Sequence, residues 1–163
     1  MQAREISKKI KDEVGKDAVI STHEAGHFPS IELAPEYFKQ SMRFCRTDGS
    51  IALDFLECIT GLDEEEGLWL IYRFFSTEKN NPIQFKLKLD RYSSSIPSIS
   101  DLWRSALHLE KECSEMFGFV FEGNTFQGPL LLSEGWQGFP LRKDYAFPEQ
   151  FGGVDHRRER TRS

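Results

Sequence analysis

The chain has 163 residues, is 39% hydrophobic and 13% aromatic, and carries a net charge of −5. That size suits one globular domain with or without an appendage, and the acidic balance argues against a nucleic-acid binder, whose footprint is a basic patch. No apolar run approaches the roughly 20 residues of a membrane-spanning helix; Leu68-Trp69-Leu70-Ile71-Tyr72 is the longest, so membrane association is expected to be peripheral.

Met1 to Lys16 alternates charges without an apolar core, unlike a signal peptide or an anchor. Within it, Ile6, Ile10 and Val14 recur every four positions, which predicts an amphipathic helix over 2–15 that Gly15 stops. Strands are predicted at 18–21 and 28–33 around a turn containing Gly26. Pro35 marks a helix start, with Tyr37, Phe38, Met42 and Cys45 as its apolar side and Asp48-Gly49 as its end. Segments 50–60 and 68–76 then read as a hairpin, and the acidic run Asp63-Glu64-Glu65-Glu66 between them as a solvated loop. From Gln84, Phe85, Leu87 and Leu89 alternate with Lys86, Lys88 and Asp90, the period of an antiparallel strand with one wet face. After Ser93 to Ser95 and Pro97, a helix is predicted over 99–117, and Phe119-Val120-Phe121 could add a last strand.

At roughly 100° per residue, Ile99, Leu102, Ala106, Leu109, Cys113, Met116 and Phe117 share one arc of that helix. Glu110 falls inside the arc, Glu112 near its edge and Glu115 on the opposite side. A carboxylate on an apolar face is costly unless paired. Glu110 therefore either pairs with Arg142 or Lys143 or reaches the rim of the face.

Beyond Gly118 the composition changes. Glycines and prolines punctuate the chain too often for long elements, yet Phe126, Trp136, Phe139, Tyr145, Phe147 and Phe151 are more aromatic than a disordered tail allows. The expected organisation is an α+β domain over 1–123, with a mixed or mostly antiparallel sheet packed with helices, plus an extended C-terminal arm over 124–163. The arm either holds a partner or wraps back over its own domain. The basic end His156 to Arg162 reads as solvated.

Few residues form a catalytic pattern. His23 and His27 have the four-residue spacing of two zinc ligands on a helix, but Gly26, Phe28 and Pro29 make this a turn, so no metal site is expected. His108 and Cys113 diverge by roughly 140° on a helix and cannot meet, which leaves Cys113 as a core thiol. Glu110 and Glu112, two apart, do not face each other. Cys45, Cys58 and Cys113 are odd in number with no CxxC pair, which reads as reduced thiols in a cytosolic compartment. No GxGxxG, P-loop or GxSxG occurs.

The blocks Phe55 to Asp63, Tyr72-Arg73-Phe74-Phe75-Ser76, Ile96-Pro97-Ser98-Ile99, Glu110-Lys111-Glu112, Glu115-Met116-Phe117-Gly118, Phe121-Glu122-Gly123 and Gly135-Trp136-Gln137-Gly138-Phe139-Pro140-Leu141-Arg142-Lys143-Asp144-Tyr145, in this order, resemble the thirty-kilodalton hydrophilic subunit of respiratory complex I. The match spans roughly residues 14–148, and the Trp136 to Tyr145 run is its most specific part. The resemblance implies a non-catalytic subunit in the peripheral arm of a proton-pumping NADH:quinone oxidoreductase, on the cytoplasmic side of the inner membrane. Its partners would be the quinone-site subunit, which helps form the quinone pocket, and neighbouring cluster-binding subunits. It implies no cofactor in this chain, with NADH, FMN, iron–sulfur clusters and quinone on the partners. Glu110, Glu112, Phe117, Gly118, Trp136, Gly138, Pro140, Leu141, Arg142, Lys143, Asp144 and Tyr145 are the interface and structural residues it points to. Lys111 stands where the family usually has arginine, Glu115 where aspartate is common, and 124–129 replaces a His-Pro and a basic stretch. The alternatives are the equivalent subunit of a membrane-bound hydrogenase or other-donor complex, an unrelated adaptor, or a self-contained enzyme.

Overall fold

The structure, a computed structural model, describes residues 2–25 and 28–155. The expected turn residue Gly26, the candidate ligand His27 and the basic end 156–162 lie outside the described residues.

Helix α1 (Ala3–Glu13) buries Ala3, Ile6 and Ile10, and the Gln2 N–H donates to Glu5 Oε2 at 3.0 Å to tie its first turn. Strands β1 (Val19–His23) and β2 (Ser30–Leu33) follow. A Pro35 turn opens α2 (Phe38–Thr47), which buries Phe38, Met42 and Cys45. Asp48 closes it: its Oδ1 accepts the Ser50 and Ile51 N–H groups at 2.9 and 3.1 Å.

Strands β3 (Phe55–Glu64), β4 (Gly67–Ser76) and β5 (Asn81–Leu89) complete a five-stranded sheet in the order β1-β2-β5-β4-β3. Only β2 and β5 pair in parallel; the other pairs are antiparallel. The expected mixed sheet of an α+β fold is therefore present. The hairpin differs from expectation, however. It starts at Phe55 rather than Ser50, and β3 runs straight through Gly61 to Glu64, leaving only Glu65 and Glu66 in the turn. Asp63 consequently sits in a strand with Ile59 and Gly61 on the inward face, 3% exposed, and not in a solvated loop.

The helices share one core with this inward face. Phe38 packs on Tyr72 at 4.7 Å between ring centres, and Trp103 on Phe74 at the same separation. Such close-packed rings contribute beyond their buried area. The other face carries Thr60, Leu62, Trp69, Ile71, Lys86 and Lys88, each partly or largely exposed.

Helix α3 spans Ala106–Phe117, shorter than the expected 99–117. Residues 99–105 instead make successive turns: the Leu102 and Trp103 N–H groups donate to Ile99 O, and Ala106 N–H to Trp103 O. Two pulls account for this: Trp103 is buried against Phe74, and the Ile99 N–H is drawn 2.8 Å from Glu110 Oε1. Helix α3 connects β6 (Ser95–Pro97) to β7 (Val120–Glu122), which lie side by side in parallel. Near the end of the described chain, β8 (Gln150–Phe151) and β9 (Val154–Asp155) form a small hairpin on Gly152-Gly153.

Candidate functional site

The site grows from the carboxyl end of α3. Gly118 terminates the helix at φ 79°, a left-handed cap that favours glycine. Space adds a second demand, because a Cβ there would lie 2.5 Å from the Phe139 ring. The last carbonyls of a helix have no partner within it, and the C-terminal segment supplies them. Leu141 N–H donates to Met116 O at 3.1 Å, and Arg142 Nε–H to Phe117 O at 2.6 Å. The Arg142 guanidinium also lies over the Phe139 ring, 4.6 Å from its centre. A cation at this end of a helix is favoured by the macrodipole.

One residue further on, Lys143 N–H donates to Asp63 Oδ2 at 2.8 Å. Asp63 also receives the Arg91 guanidinium, whose Nη1 is 3.1 Å from Oδ2 and 3.5 Å from Asp144. Burial pushes the Asp63 carboxyl upward, but the Lys143 N–H and the Arg91 guanidinium outweigh it and hold the group below its ordinary value. Gly138 and Tyr145 close the turn. A Cβ at Gly138 would lie 2.7 Å from the Tyr145 ring, whose hydroxyl donates to Gln137 O at 3.1 Å.

Glu115 forms the other anchor. Its carboxylate accepts three consecutive backbone N–H groups, from Leu130, Leu131 and Leu132 at 2.5, 2.8 and 3.1 Å, with Lys111 Nζ at 3.6 Å. Burial raises its pKa, and the three N–H groups and Lys111 reverse that, for a net lowering. Helix geometry places Glu115 away from the core, and that is where it lies. The returning chain covers it there.

Glu110, 0% exposed, pairs with neither Arg142 nor Lys143. Its oxygens accept from Ser98 Oγ at 2.5 Å, Ile99 N–H at 2.8 Å and Asn124 Nδ2 at 2.8 Å. Neutral donors offset desolvation only in part, so burial keeps its carboxyl above the ordinary value. Asn124, in the divergent loop, is thus the link between α3 and the start of the arm; it also donates to Leu107 O at 3.1 Å.

The remaining expected site residues have plainer settings. Phe117 packs against Gly61, Glu112 is exposed, and Trp136 and Pro140 are half-buried. Burial first, and Glu112 second, push the Cys113 thiol up to about 12; its Sγ lies 3.6 Å from Ile59 O, the setting of an inert core thiol. His108 packs edge-on against Phe126 rather than meeting Cys113. His23 Nε2 lies 3.3 Å from Ser21 Oγ, and among the described residues no three metal-ligating side chains converge. Asp63 and Arg91 are the functional residues that sequence reasoning missed. The usable signal is the alternation Ile59, Gly61, Asp63, which carries the buried face of β3 into the acidic run.

What the arrangement does chemically is hold a segment still. Residues 130–145 are tethered mainly through their backbone, by Glu115, Met116, Phe117 and Asp63. Many of their side chains are left facing outward.

Comparison with known proteins agrees with this layout. Residues 31–151 match the family described as respiratory-chain NADH dehydrogenase, 30 Kd subunit. A NADH-quinone oxidoreductase subunit of a Roseiflexus species is 33% identical over 131 residues, covering 78% of this chain and 75% of that one. The NADH-quinone oxidoreductase polypeptide of Phocaeicola vulgatus that bears the double designation C/D is 37% identical over 95 residues, covering 57% of this chain and 18% of that one. In fold, the chain is similar to a chain in the structure of the membrane-bound sulfane sulfur reductase, an archaeal respiratory membrane complex. The TM-score is 0.72 at 21% identity, over 88% of this chain and 85% of that one. The chain belongs to the 30 kDa subunit family of the respiratory-chain NADH dehydrogenase.

Proposed function

We propose that this chain is a non-catalytic subunit of the peripheral arm of a proton-pumping NADH:quinone oxidoreductase, where it scaffolds the quinone-site subunit. It carries no cofactor of its own in this reading; NADH, FMN, iron–sulfur clusters and quinone belong to neighbouring subunits. It meets the membrane only through the complex, on the cytoplasmic side. Among the described residues, no helix is long and apolar enough to cross a membrane.

The observation that carries the reading is the two-sided build of the strap. Its backbone is anchored inward, while Leu131, Leu141 and Phe147 stand 59%, 55% and 67% exposed. Apolar side chains displayed on an ordered segment are the usual anchors of an interface. Ordering them in advance removes an entropy cost that a loose tail would meet on binding. The Phocaeicola vulgatus relative supports contact with the quinone-site subunit, because its double designation joins two subunits in one chain.

A complex fed by another electron donor is the second reading, since the fold is shared with a chain of the sulfane sulfur reductase. The test is affinity purification of the tagged full chain from native membranes, with identification of co-purifying subunits. The quinone-site subunit together with an NADH-oxidising activity is the expected result. That subunit without an NADH-oxidising partner selects the second reading, and elution of the chain alone overturns both.

A further inference from the structure

The partner-binding reading leaves open what chemistry the partner presents, and one groove bears on it. Arg91, Tyr92, Ser93, Val120, Phe139 and Arg142 help line an open groove of about 470 Å³ where the β5–β6 loop, β7 and the strap meet. Its two arginines are not equivalent. Arg91 is spent on Asp63 and Asp144. Arg142 is fixed by Phe117 O through Nε and by the Phe139 ring beneath it. Among the described residues its two Nη groups have neither a hydrogen bond nor an ion pair.

A guanidinium held at Nε and on one face, with both Nη groups open, is preorganised for a bidentate carboxylate. We propose that Arg142 and this groove receive a single carboxylate from an extended acidic segment of the partner protein. The proposal rests on the scaffold reading above. Local charge favours one carboxylate over a phosphate group. Glu122 accepts from Ser95 Oγ at 2.6 Å, Asp90 Oδ1 accepts the Tyr92 and Ser93 N–H groups, and Asp144 sits beside Arg91. A dianion would meet these acids with one unspent cation, whereas a monoanion matches that cation. The rim suits a polypeptide as well: Tyr92 is 92% exposed and Val120 57% exposed, an apolar margin for side chains flanking the acid.

Ser93 allows a test that leaves the strap untouched, because its side chain makes no contact that tethers the strap. The full chain and its Ser93→Glu and Ser93→Lys variants are co-expressed with the quinone-site subunit, and capture is titrated alongside the thermal midpoint of each isolated chain. Ser93→Glu supplies an internal carboxylate that competes for Arg142; a loss of roughly tenfold or more in affinity is expected, with an unchanged midpoint. Ser93→Lys is expected to bind as well as the parent or better. Equal weakening by both variants, or undiminished capture by Ser93→Glu, overturns the groove assignment while leaving the scaffold reading in place. Failure of the parent chain to capture the quinone-site subunit overturns both. Inorganic phosphate is the control ligand. Protection of the isolated chain by phosphate and not by acetate makes the groove a free-anion site and overturns the proposal.

Discussion

Asp63 and Lys143 lie 80 residues apart in the chain, yet the Lys143 backbone N–H donates to the Asp63 carboxylate at 2.8 Å. A strand residue that sequence places in a solvated loop is therefore the anchor that holds the C-terminal strap, and Arg91 braces it from the β5–β6 loop. Asp63→Ala should cost about 2–3 kcal/mol, because it leaves the Arg91 charge and the Lys143 N–H without their buried acceptor. Asp63→Asn, which keeps an acceptor oxygen, should cost less. Chemical denaturation of both variants checks the order, and equal costs would count against the ion pair.

Glu115 and Glu110 tether different things. Glu115→Ala should raise amide hydrogen exchange at Leu130, Leu131 and Leu132, whose N–H groups it accepts. Glu110→Ala should raise exchange at Ile99 and loosen Asn124 instead. Exchange at 130–132 that responds to both substitutions equally would contradict two separate anchors. Helix geometry alone, by pairing Glu110 with the arm, predicts the reverse ranking.

The two carboxyls also predict opposite pH dependences. Glu115 is lowered, so its stabilisation is present above the ordinary glutamate range of about 4.3 and is lost as pH falls through its folded value. Glu110 is raised, so its contribution is full below that range and declines as pH rises through its own folded value. Relative to the parent chain, Glu110→Gln should gain stability with rising pH, and Glu115→Gln should lose less than the parent on acidification. Denaturant midpoints measured across the acid range decide both signs.

Two glycines answer to packing. Gly61→Ala would drive a methyl into the Phe117 ring and should cost about 1–3 kcal/mol by overpacking. Gly118→Ala adds a left-handed backbone and a clash with Phe139, so its thermal midpoint should fall further. A neutral Gly61→Ala would mean that the Phe117 ring can move aside.

Exposed strap residues should separate binding from folding. Leu141→Ser and Phe147→Ser remove side chains that are largely in solvent, so the isolated chain should keep its midpoint. Capture of the quinone-site subunit should weaken in both. Full capture by the double variant would remove these anchors from the interface.

Much of the fold is legible from local pattern. The four-residue spacing of Ile6 and Ile10 places α1, and the alternation of Phe85, Leu87 and Leu89 places β5. Gly118 as a helix stop is equally plain, since a left-handed cap is a local demand. The start of α3 is not legible, because the apolar period continues through Ile99 and Leu102. Burial of Trp103 against Phe74 and the pull of Glu110 on Ile99 N–H outweigh that period.

The sequence by itself determined which residues are apolar, where the chain must turn, and, through the ordered blocks ending at Tyr145, which family the chain belongs to. It also showed that Glu110 needs a buried partner, because the cost of a carboxylate on an apolar face is a local fact. Which partner it takes could not be read in one dimension. Ser98, Ile99 and Asn124 reach it by the path of β6 and the loop after β7. Likewise, only the tertiary structure made Asp63 and Glu115 anchors and left the Arg142 fork open. Those roles depend on where a returning backbone offers its N–H groups, and the return path is set by packing between elements far apart in the chain.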